Sequence, residues 1–331
     1  MIKSTLYDRH HLGQQAAVND EPLIVMAGAL RSGTTLLRLM LDGHSNISCP
    51  GEFDFGVDAI EQVGTDRDVD DYCDFLQASR IFRDYEFAIP NTDSFEQFVM
   101  SLCDQVRDAA DKLVLPIHRH FKHTASLFPN AKYIHLVRDP RDVAYSVMQM
   151  GWAGNVWHGV KPWLDTEEDW REFKVGIDSS RVIDIRFEDV VASPEKTLQR
   201  LCEFLEVPFA ESMLDVDTRS TYKRPDATVA SKWRNRSGAL ESGEVELIEA
   251  RVGPLLSDLG YMPEYQNPRG PSAVGRIRLS TKDRLGRLRF NADRYGLSTI
   301  LGEKLTRWMS LRETHAVIRQ RIDRIESTYL K

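Results

Sequence analysis

The sequence predicts an α/β fold: a parallel sheet covered by helices on both faces, with a helical insert and a basic helical extension at the end of the chain. Two observations carry the sheet. Continuous apolar runs of strand length recur at LIVMAGAL (23–30), KYIHLV (132–137) and RVIDIRF (181–187), as strands buried on both faces require. The first two runs lead through a short polar turn into a helix-like pattern, and strands alternating with helices favour parallel pairing. The third observation is a change of charge: residues 266–331 hold 15 Lys+Arg against 6 Asp+Glu, a net +9, and leave −16 on the rest of a chain whose total is −7.

Each element has a local reason. Residues 23–30 are too short for most helices and end in small polar residues, so they read as the first buried strand. Thr35 to Asp42 follows as a helix with Leu36, Leu37, Met40 and Leu41 on its inner face. After the strand at 132–137, Arg138-Asp139-Pro140-Arg141-Asp142 opens a helix that runs through Met148. Between these two units the acidic stretch of about 57–126 reads as a mainly helical insert. The predicted division is therefore an N-terminal segment over 1–21, a main domain over 22–265, and the basic extension over 266–331. The extension opens on the Pro/Gly-rich YQNPRGPSAVGR. Farther on, Trp308, Leu311, His315, Ile318, Ile322, Ile325 and Tyr329 recur at steps of three and four, the mark of a short amphipathic helix. Packing on its own domain is the first expectation for it; a homodimer contact and an anionic membrane or substrate surface are the alternatives.

Composition bounds the function classes. Of 331 residues, 42% are hydrophobic and 28% charged, which fits a globular protein and neither a disordered chain nor a membrane span. The first twenty residues are polar and lack a signal-peptide pattern, so a cytoplasmic protein is expected. Cys49, Cys73, Cys103 and Cys202 are far apart, with no zinc-like spacing, so reduced thiols are expected. His118, His120 and His123 form a cluster without the spacing of helical metal ligands, and no metal is expected there. Trp152, Trp157, Trp163 and Trp170 crowd one stretch; core or rim packing is favoured over an acceptor wall.

The chemistry concentrates in MAGALRSGTTLLRLML. It nearly matches the phosphate loop GxxxxGK[ST] through Gly28, Gly33 and Thr35, but Thr34 stands where the lysine would be. A turn between strand and helix aims backbone N–H groups and a helix N-terminus at an anion without that lysine. What is missing is the cation that reaches the β/γ-phosphates of a nucleoside triphosphate, and Arg31 offers one elsewhere. A nucleotide lacking a β/γ pair suits such a loop.

Arg31 to Leu37 resembles the 5'-phosphosulfate loop of the sulfotransferases that use 3'-phosphoadenosine 5'-phosphosulfate. YIHLVRDPRDVAYSV (133–147) is similar to the family's 3'-phosphate motif, with Arg138 and, eight residues on, Ser146 at the matching positions. DIRFEDVVASPEKTLQRLCEFLEVPF (184–209) resembles the late strand-helix unit of these enzymes, in which the aromatic, here Phe187, or its neighbour lies near the adenine. The resemblance covers most of 22–263 and is nearest to the tyrosylprotein sulfotransferases and their bacterial relatives.

It implies a P-loop-like three-layer fold and an enzyme that moves a sulfuryl group to an acceptor hydroxyl, leaves adenosine 3',5'-bisphosphate, and needs no metal. It implies donor binding by Arg31, Ser32, Gly33, Thr34, Thr35, Arg138, Ser146, Phe187 and Lys232. Glu52, 21 residues after Arg31, falls on the branch's general base, and Ser220 or Thr221 on a loop over the nucleotide. Two positions depart from the branch. Its lysine upstream of the FPNA run falls on Leu113, so Lys112 takes the role only with a one-residue shift, and Met150 stands where the branch has an arginine. The expected partner is a hydroxyl-bearing acceptor (carbohydrate, specialised metabolite or lipid, with tyrosine open) and not nucleic acid. A metal-dependent P-loop nucleotide kinase and a non-catalytic nucleotide-binding scaffold are the alternatives.

Overall fold

The computed structural model describes residues 23–63, 69–92, 94–107, 110–216, 230–235 and 240–309, and beyond them residues 314, 317–319, 321, 322 and 325. Most of the amphipathic pattern expected from Trp308 to Tyr329 lies outside the described residues, as does the N-terminal segment.

Among the described residues five parallel strands form the sheet: β1 (Ile24–Ala27), β2 (Ile47–Ser48), β3 (Lys112–Ile117), β4 (Lys132–Val137) and β5 (Val182–Arg186), in the order β2-β3-β1-β4-β5. The helices in chain order begin with α1 (Thr34–Leu41), α2 (Asp54–Val63), α3 (Val69–Ala78), α4 (Arg80–Asp84), α5 (Phe95–Arg107) and α6 (Phe121–Leu127). Then come α7 (Pro140–Gln149), α8 (Val156–Gly159), α9 (Lys161–Lys174), α10 (Phe187–Ala192) and α11 (Pro194–Leu205). The chain continues with α12 (Lys232–Asn235), α13 (Ser242–Val252), α14 (Leu255–Asp258), α15 (Ala273–Tyr295) and α16 (Leu297–Trp308).

The layers follow from strand alternation. Along β1, Leu23, Val25 and Ala27 point into one core with helices α2, α3 and α5, whereas Ile24 and Met26 point into the other with α1 and α11. Both faces are dry, which is why the sequence reads as an unbroken apolar run.

β3 corrects the expected helical insert. The acidic stretch does form helices α2 to α5, but it also holds the strand that pairs with β1, Val114 opposite Ile24 and Ile117 opposite Ala27. Pro116 is tolerated in this inner strand because β2 pairs only with Lys112 and Leu113, so no neighbour on that side asks for the missing N–H.

In this order the chain reverses direction at β1, whose neighbours β3 and β4 are reached by crossovers on opposite sides. Ligands in open parallel sheets bind at the C-terminal strand ends beside such a switch point. The loop after β1 occupies that place.

Candidate active site

Helix α1 begins without a side-chain cap. Its N-cap, Gly33, is left-handed at φ 97° and has no side chain to cap the helix, so among the described residues the first-turn amides are left open to an anion. α7 differs: the Asp139 carboxylate caps it by accepting from the Arg141 N–H at 2.9 Å, and Pro140 fills its first turn. Of the two helices that follow β1 and β4, α1 is therefore the one with an open N-terminus. Arg31 also sits at positive φ, 72°, a strained conformation for a non-glycine residue. Ser32 is fully buried, and its Oγ has no hydrogen-bond partner among the described residues.

Four sequence-predicted residues converge on this loop. Arg31 Nε donates to Ser146 Oγ at 3.0 Å, and Arg138 Nη1 donates to the Arg31 carbonyl at 3.1 Å. The Arg138 guanidinium lies 4.3 Å from the centroid of the Phe187 ring, and the same ring packs against Gly33. Phe187 is thus a buried support under the loop and the arginine. Lys232 lies on α12, which is tied to α7 through Asp142: the carboxylate accepts the N–H groups of Ser231 at 2.8 Å and Trp233 at 3.0 Å, and stands 3.5 Å from Arg138 Nη2.

Glu52 lies on the other side of α1. With Thr34, Thr35, Arg38, Gly51 and Pro116 it lines a cavity of about 170 Å³. The carboxylate and the loop hydroxyls therefore share one chamber. Arg38, one turn beyond Thr34, was not expected here; its i, i+4 spacing is the sequence signal that marks it. Its Nη1 donates to the Cys49 carbonyl at 3.3 Å.

Beneath Thr34 is a buried pair that local sequence could not show. His118, at the end of β3, faces Asp54 Oδ2 through Nδ1 at 2.7 Å and Thr34 Oγ1 through Nε2 at 3.3 Å. The Asp54 carboxylate also accepts the His118 backbone N–H at 2.8 Å. Burial opposes a charged ring, but Asp54 outweighs it, and the His118 pKa is raised. Burial likewise opposes the Asp54 carboxylate, and His118 outweighs it, holding that pKa low. Asp54 and His118 are 64 residues apart, so only the fold joins them.

One expected site residue does not arrive. Lys112 begins β3 at the far end of the sheet, where its N–H donates to the Asn46 carbonyl; the strand's length, about 3.3 Å per residue, separates it from the loop. The shift that would give it the role of the branch lysine is ruled out by this register, and the residue the strand delivers to the loop is His118. Ser220 and Thr221 lie outside the described residues. Of the tryptophans, Trp163 and Trp170 are core, while Trp152 is exposed and holds Arg31 over its ring at 5.8 Å.

The model of a family described as the Sulfotransferase family matches residues 22–211. The protein-tyrosine sulfotransferase of Drosophila melanogaster is 27% identical over 275 residues, covering 75% of this chain and 53% of that protein, so the match spans about half of the relative. Protein-tyrosine sulfotransferase 1 of Homo sapiens is 25% identical over 283 residues, 75% of this chain and 72% of that protein. The same fold is seen in the sulfotransferase domain from the curacin biosynthetic pathway, with TM-score 0.55, 22% identity, and coverage of 73% of this chain and 98% of that one. A second is the sulfotransferase domain of the Synechococcus PCC 7002 olefin synthase, at TM-score 0.51 and 24% identity, covering 72% and 97%. Since the family model takes in every strand of the sheet and more than half of the sequence, this chain belongs to the sulfotransferase family.

Proposed function

We propose that the chain transfers a sulfuryl group from 3'-phosphoadenosine 5'-phosphosulfate to an acceptor hydroxyl, with Glu52 as general base. The observation that carries this reading is the pairing of an uncapped loop, braced by Arg31, Arg138 and Ser146, with an adjoining chamber that holds a carboxylate. The residues present fit the donor. Ser32 Oγ is buried with no partner among the described residues, the α1 N-cap is a glycine, and the Arg31 and Arg138 side chains belong to one loop network. Thr34 in the lysine position argues against a β/γ-phosphate and so against a kinase.

The donor supplies an activated sulfuryl group on a phosphosulfate anhydride. The loop amides, Arg31 and the Thr34 and Thr35 hydroxyls hold the 5' end and balance charge on the sulfuryl and bridging oxygens. Arg138 holds the 3'-phosphate by a bidentate fork, with Ser146 beside it, and Lys232 reaches the nucleotide from α12. Glu52 takes the acceptor proton as the new S–O bond forms and the S–O bond to the phosphate breaks, and water is limited by the size of the chamber. Asp54 and His118 fix the Thr34 hydroxyl from below and are positioning residues.

The test is transfer from sulfur-labelled donor to a panel of saccharide, small-metabolite and tyrosine-peptide hydroxyls; the named relatives put tyrosine on the panel. Glu52→Gln is expected to lower turnover by about a hundredfold or more, the usual worth of a general base, with bisphosphate affinity unchanged. Unchanged turnover removes Glu52 from the base role, and consumption of ATP with magnesium in place of the donor overturns the reading.

A further inference from the structure

Of the thirteen large hydrophobic side chains exposed among the described residues, nine lie from Val274 onward. Their placement on α15 is one-sided. The helix is seated on the loop after α7 by one face: Asp283 Oδ1 accepts the Gly154 N–H at 2.8 Å, Asn155 Nδ2 donates to the Leu279 carbonyl at 2.8 Å, and Phe290 packs on Gly151. At Gly286 the backbones approach so closely that a Cβ would stand 2.8 Å from Gly154 Cα. At 100° per residue the opposite face carries Val274, Ile277, Leu285 and Leu288, all exposed. On one flank of that stripe Arg278, Lys282 and Arg289 line, with Ile277 and Leu285, an open groove of about 570 Å³. α16 continues the pattern with exposed Leu297, Leu301 and Leu305, four residues apart.

We propose that α15 and α16 form an interfacial helix pair that docks the chain on an anionic phospholipid membrane, the leucine stripe entering the headgroup boundary and the basic flank meeting lipid phosphates. An apolar stripe bordered by Arg and Lys on a helix that cannot rotate is the geometry such binding requires. Charge selects the occupant. A second copy would set a stripe flanked by four cations (Arg278, Lys282, Arg284, Arg289) against the same cations, whereas an anionic surface neutralises them. A soluble polyanion would engage the cations and leave the leucines in water. The negative charge resides in the rest of the chain, so the field of an anionic surface also turns the +9 extension toward it.

The full chain is mixed with vesicles of phosphatidylcholine alone, or of phosphatidylcholine and phosphatidylglycerol in equal parts, and sedimented. Binding is expected to the mixed vesicles only, and to weaken with salt. Each basic residue near such a surface is worth about fivefold, so the Arg278→Gln, Lys282→Gln, Arg289→Gln triple variant is expected to bind about a hundredfold more weakly. Leu285→Glu with Leu288→Glu is expected to abolish binding, with the thermal midpoint unchanged because both side chains are exposed. The proposal is overturned if wild type does not sediment with the mixed vesicles, if phosphatidylcholine alone binds as well, if either variant binds like wild type, or if the leucine pair instead dissociates a dimer of the free protein.

Discussion

Gly33 is the tightest residue of the site. Its φ of 97° disfavours any side chain, and a Cβ there would overlap the Phe187 ring, which itself supports Arg138. Gly33→Ala is therefore expected to cost about 2 kcal/mol or more in stability and to weaken bisphosphate binding, measured by urea unfolding and calorimetry; a neutral variant would show that the loop is not held as described. Arg138→Ala tests the opposite chemistry. Loss of a charge-assisted pair is worth about 1.5–3 kcal/mol, so bisphosphate affinity should fall roughly tenfold to a hundredfold. Arg31 and Arg138 were legible because they follow the ends of β1 and β4 directly, and Ser146 because it lies two turns along the next helix, where local spacing decides placement; Glu52 came only from the resemblance, since β2 before it is two residues long and leaves no apolar run. Asp54 and His118 were not legible, since their partnership depends on β3 lying beside β1. Lys112 failed for the same reason: one position along a strand reverses the face, and six positions change the end of the sheet.

At the scale of the element, α7 joins the donor residues to the rest of the fold. Its first turn holds Asp142, whose carboxylate anchors Ser231 and Trp233, and Arg141, which is paired with Asp139 and Glu249 and stacked on the Trp233 ring at 4.1 Å. Asp142→Ala strands two backbone donors and is expected to cost about 2 kcal/mol or more. Amide exchange at residues 231 and 233 should rise while that of β1 is unchanged; protected amides there would contradict the anchoring role. The strands β1, β4 and β5 were readable as apolar runs because both sides of the sheet are covered. β3 was hidden by the five-residue run's proline, by its lysine start, and by four preceding helices that made the whole stretch look helical.

On the scale of the molecule, the sheet carries a charge cluster built around a buried histidine. His135 on β4 lies between Glu167 at 2.9 Å and Asp184 at 2.8 Å, stacked on Trp170. Burial works against the charged ring, but the two carboxylates prevail and raise its pKa to about 9. A raised folded pKa stabilises fully below the unfolded value of about 6.5 and is lost as pH rises through 9, a fall on the order of 3 kcal/mol. Urea unfolding across that window should show the decline, and His135→Asn should remove the slope; an equal slope in the variant would place its origin elsewhere. The charge division between body and extension was plain from the sequence, but the direction faced by the leucine stripe was not, because it depends on Gly151, Gly154 and Gly286 seating α15.

A donor site for a nucleotide bearing separate 5' and 3' phosphates is tested by calorimetric titration with adenosine 3',5'-bisphosphate, with ADP and ATP plus magnesium as controls. Binding of the bisphosphate is expected in strong preference to both controls, without magnesium, and is expected to weaken in Arg138→Ala. Preference for ATP with magnesium, or no discrimination among the three, would contradict it.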